Sequence, residues 1–218
     1  MKVYHFINEK FGLQAIEKQR LKASTLDDLN DPFELFSIDM SSSLEFREAL
    51  RVYRSGLAYK TYIICTSKSW KSPLLWSHYA DRHKGMALEF EVPNEMLHHI
   101  KYQKSRIKID EARIKNGVTT QIRLLTTKYK EWEYEDEARM FVHSEEIKFE
   151  GNLPFYYFNQ NLKLTSVILG SLSELTSSAI KSRMPGGNKV ALVRSRMAFK
   201  EFHIVRNKKI KTVNLKCA

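Results

Sequence analysis

The chain has few cysteines and no long hydrophobic run, and both absences narrow its class. Only Cys65 and Cys217 occur in 218 residues, too far apart to suggest a disulfide framework. We therefore expect a protein of a reducing, cytoplasmic compartment. No apolar stretch approaches the roughly 20 residues of a membrane helix, and the first residues lack the apolar core of a signal peptide. We expect no membrane association.

Several familiar catalytic motifs are missing as well. His98 and His99 are adjacent and the cysteines are distant, so the ligand spacing of a zinc site is absent and no metal is expected. The turn at 185–189 lacks the spacing of a phosphate-binding loop. Dinucleotide-binding glycine motifs and the nucleophile elbow of α/β-hydrolases do not occur either. If the protein is an enzyme, its catalytic residues must belong to none of these motifs.

Positive charge is abundant but unevenly distributed. The net charge is +11, from 36 Lys and Arg against 25 Asp and Glu. The segment from Lys181 to Ala218 holds seven lysines and four arginines against a single acid, Glu201, whereas the first 180 residues are nearly neutral. A basic terminal segment favours contact with nucleic acid or another polyanion, although a solubilising surface explains it equally well.

The order of predicted elements favours an α+β fold. Apolar alternation and turn residues predict strands at 3–7, 21–24, 61–65, 86–92, 107–109, 162–169, 191–193 and 202–205, with an acidic strand from 132. Helical spacing and capping residues predict helices at 11–20, 42–54, 73–84, 121–129 and 171–184. No repeat or linker divides the chain. We predict a single domain over 1–218, with a mixed, largely antiparallel sheet flanked by helices.

The most informative segment runs from Trp132 to Arg139 and reads WEYEDEAR. In an extended chain, alternate side chains share a face, so a row of charges forms from Glu135, Glu137 and Arg139. Two close carboxylates repel, which raises the pKa of one, whereas an adjacent arginine favours ionisation. The row is therefore a candidate catalytic site. The alternative is a solvated strand face with a surface ion pair.

Other polar residues could join that row. The helix after Ser72 carries rings that could stack on a flat ligand and hydrogen-bond to it, although such stripes are as often core: Trp76, His78, Tyr79 and His83. Asn30 and Asp31 lie in a turn before a proline, where both side chains often cap their own backbone. His5 lies in an apolar strand, a pattern more typical of a core histidine. Ser67 ends a strand, where loops often hold function.

Taken in order, these motifs resemble an uncharacterised bacterial family, the domain-of-unknown-function family 2971. The resemblance covers about residues 3–170 and rests on Y-H-F at 4–6, N-D-P-F-E at 30–34, C-T-S at 65–67, W-S-H-Y-A with H-K-G at 76–85, L-E-F at 88–90, WEYEDEAR at 132–139 and V-I-L-G at 167–170. Family members often read Y-K-Y at the first motif and C-F-S at the third. This resemblance implies no activity.

A looser similarity, to ADP-ribosyltransferase-like toxin and phage-defence domains, does imply one. In those domains a split antiparallel sheet holds NAD, the substrate, in a cleft. The similarity implies that His5 contacts the adenosine ribose and that Tyr79, or alternatively Ser67, packs on nicotinamide. It also implies that Glu137 or Glu135 is the catalytic carboxylate. Arg139 would keep the pair ionised or bind a pyrophosphate.

Three hypotheses follow from the sequence. The first is an NAD-consuming transferase or hydrolase of the toxin or phage-defence type, with a protein target or antitoxin as partner. The second is an effector that binds or cleaves nucleic acid through its basic terminal segment. An ADP-ribosylating enzyme whose basic segment docks a nucleic-acid target combines both. The third is a non-enzymatic interaction domain in which the polar motifs only hold the fold.

Overall fold

A computed structural model describes residues 1–58, 61–108, 118–186 and 189–216. Its elements are, in chain order, β1 (Lys2–Ile7), α1 (Glu9–Lys18), β2 (Arg20–Lys22), α2 (Leu44–Ala58), β3 (Tyr62–Ser67), α3 (Pro73–Tyr79), β4 (Met86–Glu91), β5 (Leu97–His99), β6 (Lys101–Gln103), α4 (Val118–Leu125), β7 (Thr127–Tyr129), β8 (Glu137–Val142), β9 (Lys148–Glu150), β10 (Leu153–Tyr157), β11 (Lys163–Leu169), α5 (Ser177–Lys181), β12 (Lys189–Met197), β13 (Ile204–Arg206) and β14 (Val213–Lys216). Within these ranges no helix has the length and apolar character needed to cross a membrane.

The predicted α+β fold and largely antiparallel sheet are confirmed. The main sheet has the order β13-β12-β11-β4-β1-β3-β8-β5, and β14 also pairs with β12. Its strand pairs are antiparallel except β11 with β12, which run parallel. Smaller sheets join β2, β10 and β9, and β6 with β7. The short strands β2 and β13 overlap the strands predicted at 21–24 and 202–205, whereas β5, β6, β7 and β9 have no alternating apolar pattern of their own and were not predicted.

The centre of the main sheet is joined weakly. Strand β1 matches β4 over six register positions, and β3 matches β8 over six. Between β1 and β3, a single register pair joins Tyr4 to Ser67. Ser67 is the last residue of β3, and from this pair back along β3 the two strands separate, with a cavity between them.

Strand β8 is buried on both faces. Ala138, Met140 and Val142 enter the largest apolar core, as their alternation predicts. Arg139 faces the other way and is only 1% exposed, because it lies under α4, where its guanidinium donates to the Leu125 carbonyl at 2.8 Å. The alternative of a solvated strand face is therefore wrong.

Several predicted helices have different bounds. The helix predicted over 73–84 ends at Tyr79, and the next turn contains three successive residues with positive φ, Asp81, Arg82 and His83. The helix predicted over 171–184 is reduced to α5, and the one over 121–129 ends at Leu125, where β7 follows. In the predicted strand at 107–109, Ile107 forms an isolated bridge with Ile38. Residues 109, 187, 188 and Cys217 lie outside the described residues.

Gly170 marks a close approach of two backbone segments after β11. Its N–H donates to the Gly85 carbonyl at 2.9 Å, and a Cβ here would meet that oxygen at 3.0 Å and collide with the His83 carbonyl. Because backbone atoms cannot move aside as a flexible side chain can, we expect Gly170→Ala to lower the free energy of unfolding by about 2–3 kcal/mol. Urea denaturation measures this.

Gly56 provides the matched control for that substitution. It lies within α2, and a Cβ there would meet nothing within 4 Å. Gly56→Ala should therefore stabilise the protein by about 0.5–1 kcal/mol through helix propensity. A Gly170→Ala variant as stable as the wild type would contradict the close approach described.

Candidate functional site

A cavity of about 260 Å³ lies between β1 and β3 and is called the central cavity below. Residues from β1, the turn at 28–30, β3, α3 and the β8 region form its wall. Six of the residues singled out from the sequence line it: His5, Asn30, Ser67, Tyr79, Glu135 and Glu137. Segments distant in sequence therefore meet at one hollow, in the gap between the two loosely joined strands.

Lys128 joins the two carboxylates of the cavity wall. Its ammonium donates to Glu135 Oε2 at 2.6 Å and to Glu137 Oε2 at 3.4 Å. The same ammonium lies 4.7 Å from the centre of the Trp132 ring. Lys128, Glu135 and Glu137 are each only 5% exposed. A lysine thus occupies the position between two buried acids, where their repulsion would otherwise be greatest.

Arg139 holds Glu137 from the side away from the cavity. Its Nε donates to Glu137 Oε1 at 2.7 Å and its Nη2 to Oε2 at 3.1 Å. The same guanidinium makes a second two-point contact with Glu34, at 2.9 and 2.5 Å. Glu34 is 1% exposed. Arg139 therefore uses its planar geometry to join two buried carboxylates.

These five side chains form one buried charge cluster: Glu34, Lys128, Glu135, Glu137 and Arg139. Burial alone would raise the pKa of Glu137, but Arg139 and Lys128 outweigh it and hold that pKa below its ordinary value. Burial lowers and the carboxylates raise the pKa of Lys128, with a net rise that keeps it charged. With every group ionised, three carboxylates oppose two cations and the cluster carries a formal charge of −1.

Tyr79 and Asn30 extend this cluster across the cavity. The Tyr79 hydroxyl donates to Glu135 Oε1 at 2.5 Å and accepts a hydrogen bond from the Asn30 amide. Burial raises the pKa of Tyr79, and Glu135 raises it further, so the hydroxyl keeps its proton. The Asn30 turn and α3 therefore meet at Glu135, and Tyr79 orients this carboxylate.

The convergence of Glu135 and Glu137 does not come from a strand. Glu135 ends a 3₁₀ helix, Lys130–Glu135, and β8 begins only at Glu137. Asp136 between them has a left-handed backbone with φ of 44°, and its N–H donates to the Glu133 carbonyl. Asp tolerates this conformation better than most residues. The extended conformation predicted for 132–139 is therefore wrong for 132–136 and confirmed from Glu137 onward, and both carboxylates still line one cavity.

His5 faces the cavity from β1. Its Nδ1 lies 2.9 Å from the Cys65 carbonyl oxygen, which can only accept, so Nδ1 carries the proton. Burial lowers the pKa of His5 more than this bond raises it. The ring is therefore neutral near pH 7, and its Nε2 is an acceptor. Ser67 lies opposite, and its hydroxyl donates to the Ser69 carbonyl at 2.9 Å.

The structure places other candidates outside the central cavity. Trp76 is fully buried, with its indole N–H donating to the Trp70 carbonyl at 2.7 Å and with Phe6 packed edge-on against its ring. No face of the Trp76 ring is open to a ligand, so it acts as a core residue here. His78 lies on the exposed side of α3 and contacts the ring of Tyr134. Arg139 lies behind Glu137.

Asp31 turns away from the central cavity to a second one. Its Oδ1 accepts from the Phe33 N–H at 2.9 Å, which is the capping role expected in such a turn. The second cavity, about 340 Å³, is lined by Asp31, Lys128 and the basic side chains of Lys104 and Arg106. Lys128 lines both cavities, so the two hollows meet at the charge cluster.

Glu34 and Lys128 were missed by reasoning from the sequence. Glu34 belongs to the N-D-P-F-E motif, and membership of that motif was the only sequence feature that drew attention to it. Lys128 falls in a segment predicted as a helix, and nothing local distinguishes it from an exposed lysine. The only clue to a buried lysine was the charge imbalance of the acidic segment. If Glu135, Glu137 and Arg139 are all buried, the two carboxylates need a second cation.

The part of the chain that the structure describes contains no group of three His, Cys, Asp or Glu side chains placed to hold a metal ion. No protein-family model, no curated protein and no solved structure matches this chain.

Proposed function

We propose that the protein cleaves the bond between nicotinamide and ribose in NAD, as an ADP-ribosyltransferase or an NAD glycohydrolase. One observation carries this proposal: the buried cluster with one excess negative charge, two of whose carboxylates line the central cavity. Such a site favours a reaction in which positive charge develops on the substrate. It also agrees with the toxin or phage-defence class that the sequence resemblance implies.

The chemistry matches this electrostatic environment. When the C1′–N bond breaks, its electron pair leaves with the nicotinamide nitrogen, and the ribose acquires oxocarbenium character. A carboxylate already fixed by protein donors stabilises that charge without reorganising. A hydroxyl of water or of an acceptor then bonds to C1′, and its proton passes to a nearby base. Two carboxylates, those of Glu135 and Glu137, line the cavity wall.

The two carboxylates have unequal freedom to act. Glu137 is bound by two nitrogens of Arg139 and by Lys128. Among the described residues, Glu135 accepts side-chain hydrogen bonds only from Tyr79 and Lys128, so more of its acceptor capacity remains for a ribose hydroxyl. We assign the substrate contact to Glu135. Glu137 is then a positioning residue that holds Lys128 and Arg139 in place.

His5 and the second cavity account for the rest of the dinucleotide. The His5 Nε2 is an acceptor and suits a second ribose hydroxyl. A cavity of about 260 Å³ holds a nucleoside rather than a whole dinucleotide, so the remainder must extend elsewhere. The second cavity meets the first at Lys128 and carries Lys104 and Arg106, which suit the pyrophosphate.

The direct test is incubation with NAD, followed by chromatographic measurement of released nicotinamide. We expect release that saturates with NAD, and a rise in melting temperature on NAD binding because a ligand of the native state stabilises it. Radiolabelled NAD offered with cell protein and nucleic acid separates transfer from hydrolysis. The proposal would be refuted if no nicotinamide were released with any acceptor and NAD caused no shift in melting temperature.

A matched control lies one turn from the site. Glu133 occupies the same 3₁₀ helix as Glu135, but it is exposed and pairs with Lys130. Glu133→Gln changes the same functional group outside the cavity. This variant should release nicotinamide at the wild-type rate, and a comparable loss in it would show that the assay does not report on the cavity.

A further inference from the structure

The connection between β12 and β13 presents two unusually exposed aromatic rings. Phe199 is 86% and Phe202 96% exposed, although burying a large apolar side chain stabilises a protein. The turn is nevertheless well ordered by backbone hydrogen bonds. Ala198 N–H donates to the His203 carbonyl at 2.8 Å, and Ile204 N–H donates to the Lys71 carbonyl at 2.9 Å. The two exposed rings therefore lie on an ordered turn, residues 198–203, which is called the hairpin tip below.

A ring-lined groove lies beside the hairpin tip. Its volume is about 380 Å³, and its walls include the rings of Phe199, Phe202, His83 and His203. Arg196 stacks over Phe199, with 4.2 Å between the guanidinium carbon and the ring centre. Flat rings with an arginine alongside are the arrangement on which nucleobases stack.

Positive charge continues from the hairpin tip along the edge of the sheet. Strands β13 and β14 pair with the same edge of β12, from Met197–Ile204 at one end to Lys189–Lys216 at the other. Six cations of this region form no ion pair with any described residue: Arg196, Lys200, Arg206, Lys208, Lys209 and Lys211. The one acid of the segment, Glu201, is paired with His203.

We propose that the hairpin tip and this basic edge bind single-stranded nucleic acid, with bases stacked on Phe199 and Phe202 and phosphates along the cations. From Met197 to Leu192 the edge extends about 17 Å at the usual strand rise. That length suits an extended polyanion, which contacts tip and edge together. An anionic membrane surface would engage only the tip, since the polar backbone of an open sheet edge is not taken into lipid.

The test is fluorescence anisotropy with a labelled 15-nucleotide single strand, as RNA and as DNA, over a series of salt concentrations. We expect affinity to fall as salt rises, with a log–log slope of about −0.7 for each phosphate neutralised. Changing Lys208, Lys209 and Lys211 together to Gln should make that slope shallower by about 2. The double variant Phe199→Ala, Phe202→Ala should weaken binding at least tenfold at every salt concentration.

Phe149→Ala is the matched control, because this phenylalanine is also exposed but lies on β9, outside the main sheet. It should bind like the wild type. Equal binding by the double phenylalanine variant, or no binding at low salt, would overturn the proposal. The proposal would also be overturned if the protein sedimented with phosphatidylserine vesicles only when Phe199 and Phe202 were both present, while oligonucleotide binding did not need them. None of these readouts depends on NAD turnover, so the two proposals can fail separately.

Discussion

Replacing Arg139 with methionine is expected to lower the free energy of unfolding by about 3–5 kcal/mol, the largest effect on stability that the structure indicates. Arg139 is 1% exposed and joins Glu34 to Glu137 through two-point contacts. Methionine fills similar space but donates nothing. The variant would bury three carboxylates around one ammonium, that of Lys128.

The loss of unfolding free energy in Arg139→Met should also depend on pH. In the wild type, Arg139 holds the pKa of Glu137 below its ordinary value, so this stabilisation is present above that value and is lost as pH falls. Without Arg139, burial would raise the pKa of Glu137, and stability would be lost as pH rises above about 4.3, the ordinary value for glutamate. The difference between variant and wild type should therefore be larger at pH 7.5 than at pH 5.

Urea denaturation at these two pH values measures both expectations. Arg183→Met is the matched control, because Arg183 is exposed and makes two long surface contacts, 3.9 Å to Glu17 and 3.4 Å to the Ala179 carbonyl. Its effect should stay within about 0.5 kcal/mol. An Arg139→Met variant within 1 kcal/mol of wild type, or one whose deficit is greatest at acid pH, would show that the cluster is not the buried ionic network described.

Local sequence pattern predicted the parts of the fold that local physics determines. Strands β1, β3, β4 and β11 are runs of apolar and β-branched residues ended by turn residues, and their positions agree with prediction within one or two residues. The short strands β6 and β7 pair with each other across a long sequence separation, and β9 pairs with the adjacent β10. Each has only three residues, which is too short to show a periodic pattern. The helix after Ser72 was extended too far because positive φ at Asp81 leaves no strong sequence signal.

The candidate site was predicted by residue type but not by arrangement. Glu135 and Glu137 were singled out as a pair on one strand, whereas a left-handed Asp136 brings them together from a 3₁₀ helix and a strand. Trp76 has the same chemical character as Tyr79, yet it is buried in the core while Tyr79 reaches the cavity. Which side of a short helix meets a cavity is fixed by its tertiary neighbours, and these leave no mark on local spacing.

Glu135→Gln is expected to reduce nicotinamide release from NAD by about 10²–10³-fold, a loss typical of removing one transition-state contact. Glutamine keeps an oxygen for Tyr79 and the shape of the side chain. It removes the one excess negative charge, leaving two carboxylates and two cations in the cluster. Its amide N–H group would face the Lys128 ammonium, which donates to Glu135 at 2.6 Å, so the melting temperature should fall, but by less than in Glu137→Gln, whose carboxylate binds Arg139 at two points. The loss should appear in kcat rather than KM, because the charge acts where the oxocarbenium forms.

Glu137→Gln separates catalysis from cluster integrity. Its amide would set an N–H group against Arg139 in place of a carboxylate oxygen, so this variant should lose both activity and about 1.5–3 kcal/mol of stability. Glu135→Gln should lose activity with a smaller loss of stability, and Glu133→Gln should lose neither. If Glu135→Gln kept more than a third of the wild-type rate while Glu137→Gln lost it at full stability, the roles assigned to the two carboxylates would have to be exchanged. The excess charge of the cluster would still face the substrate, but from the base of β8 rather than from the end of the 3₁₀ helix.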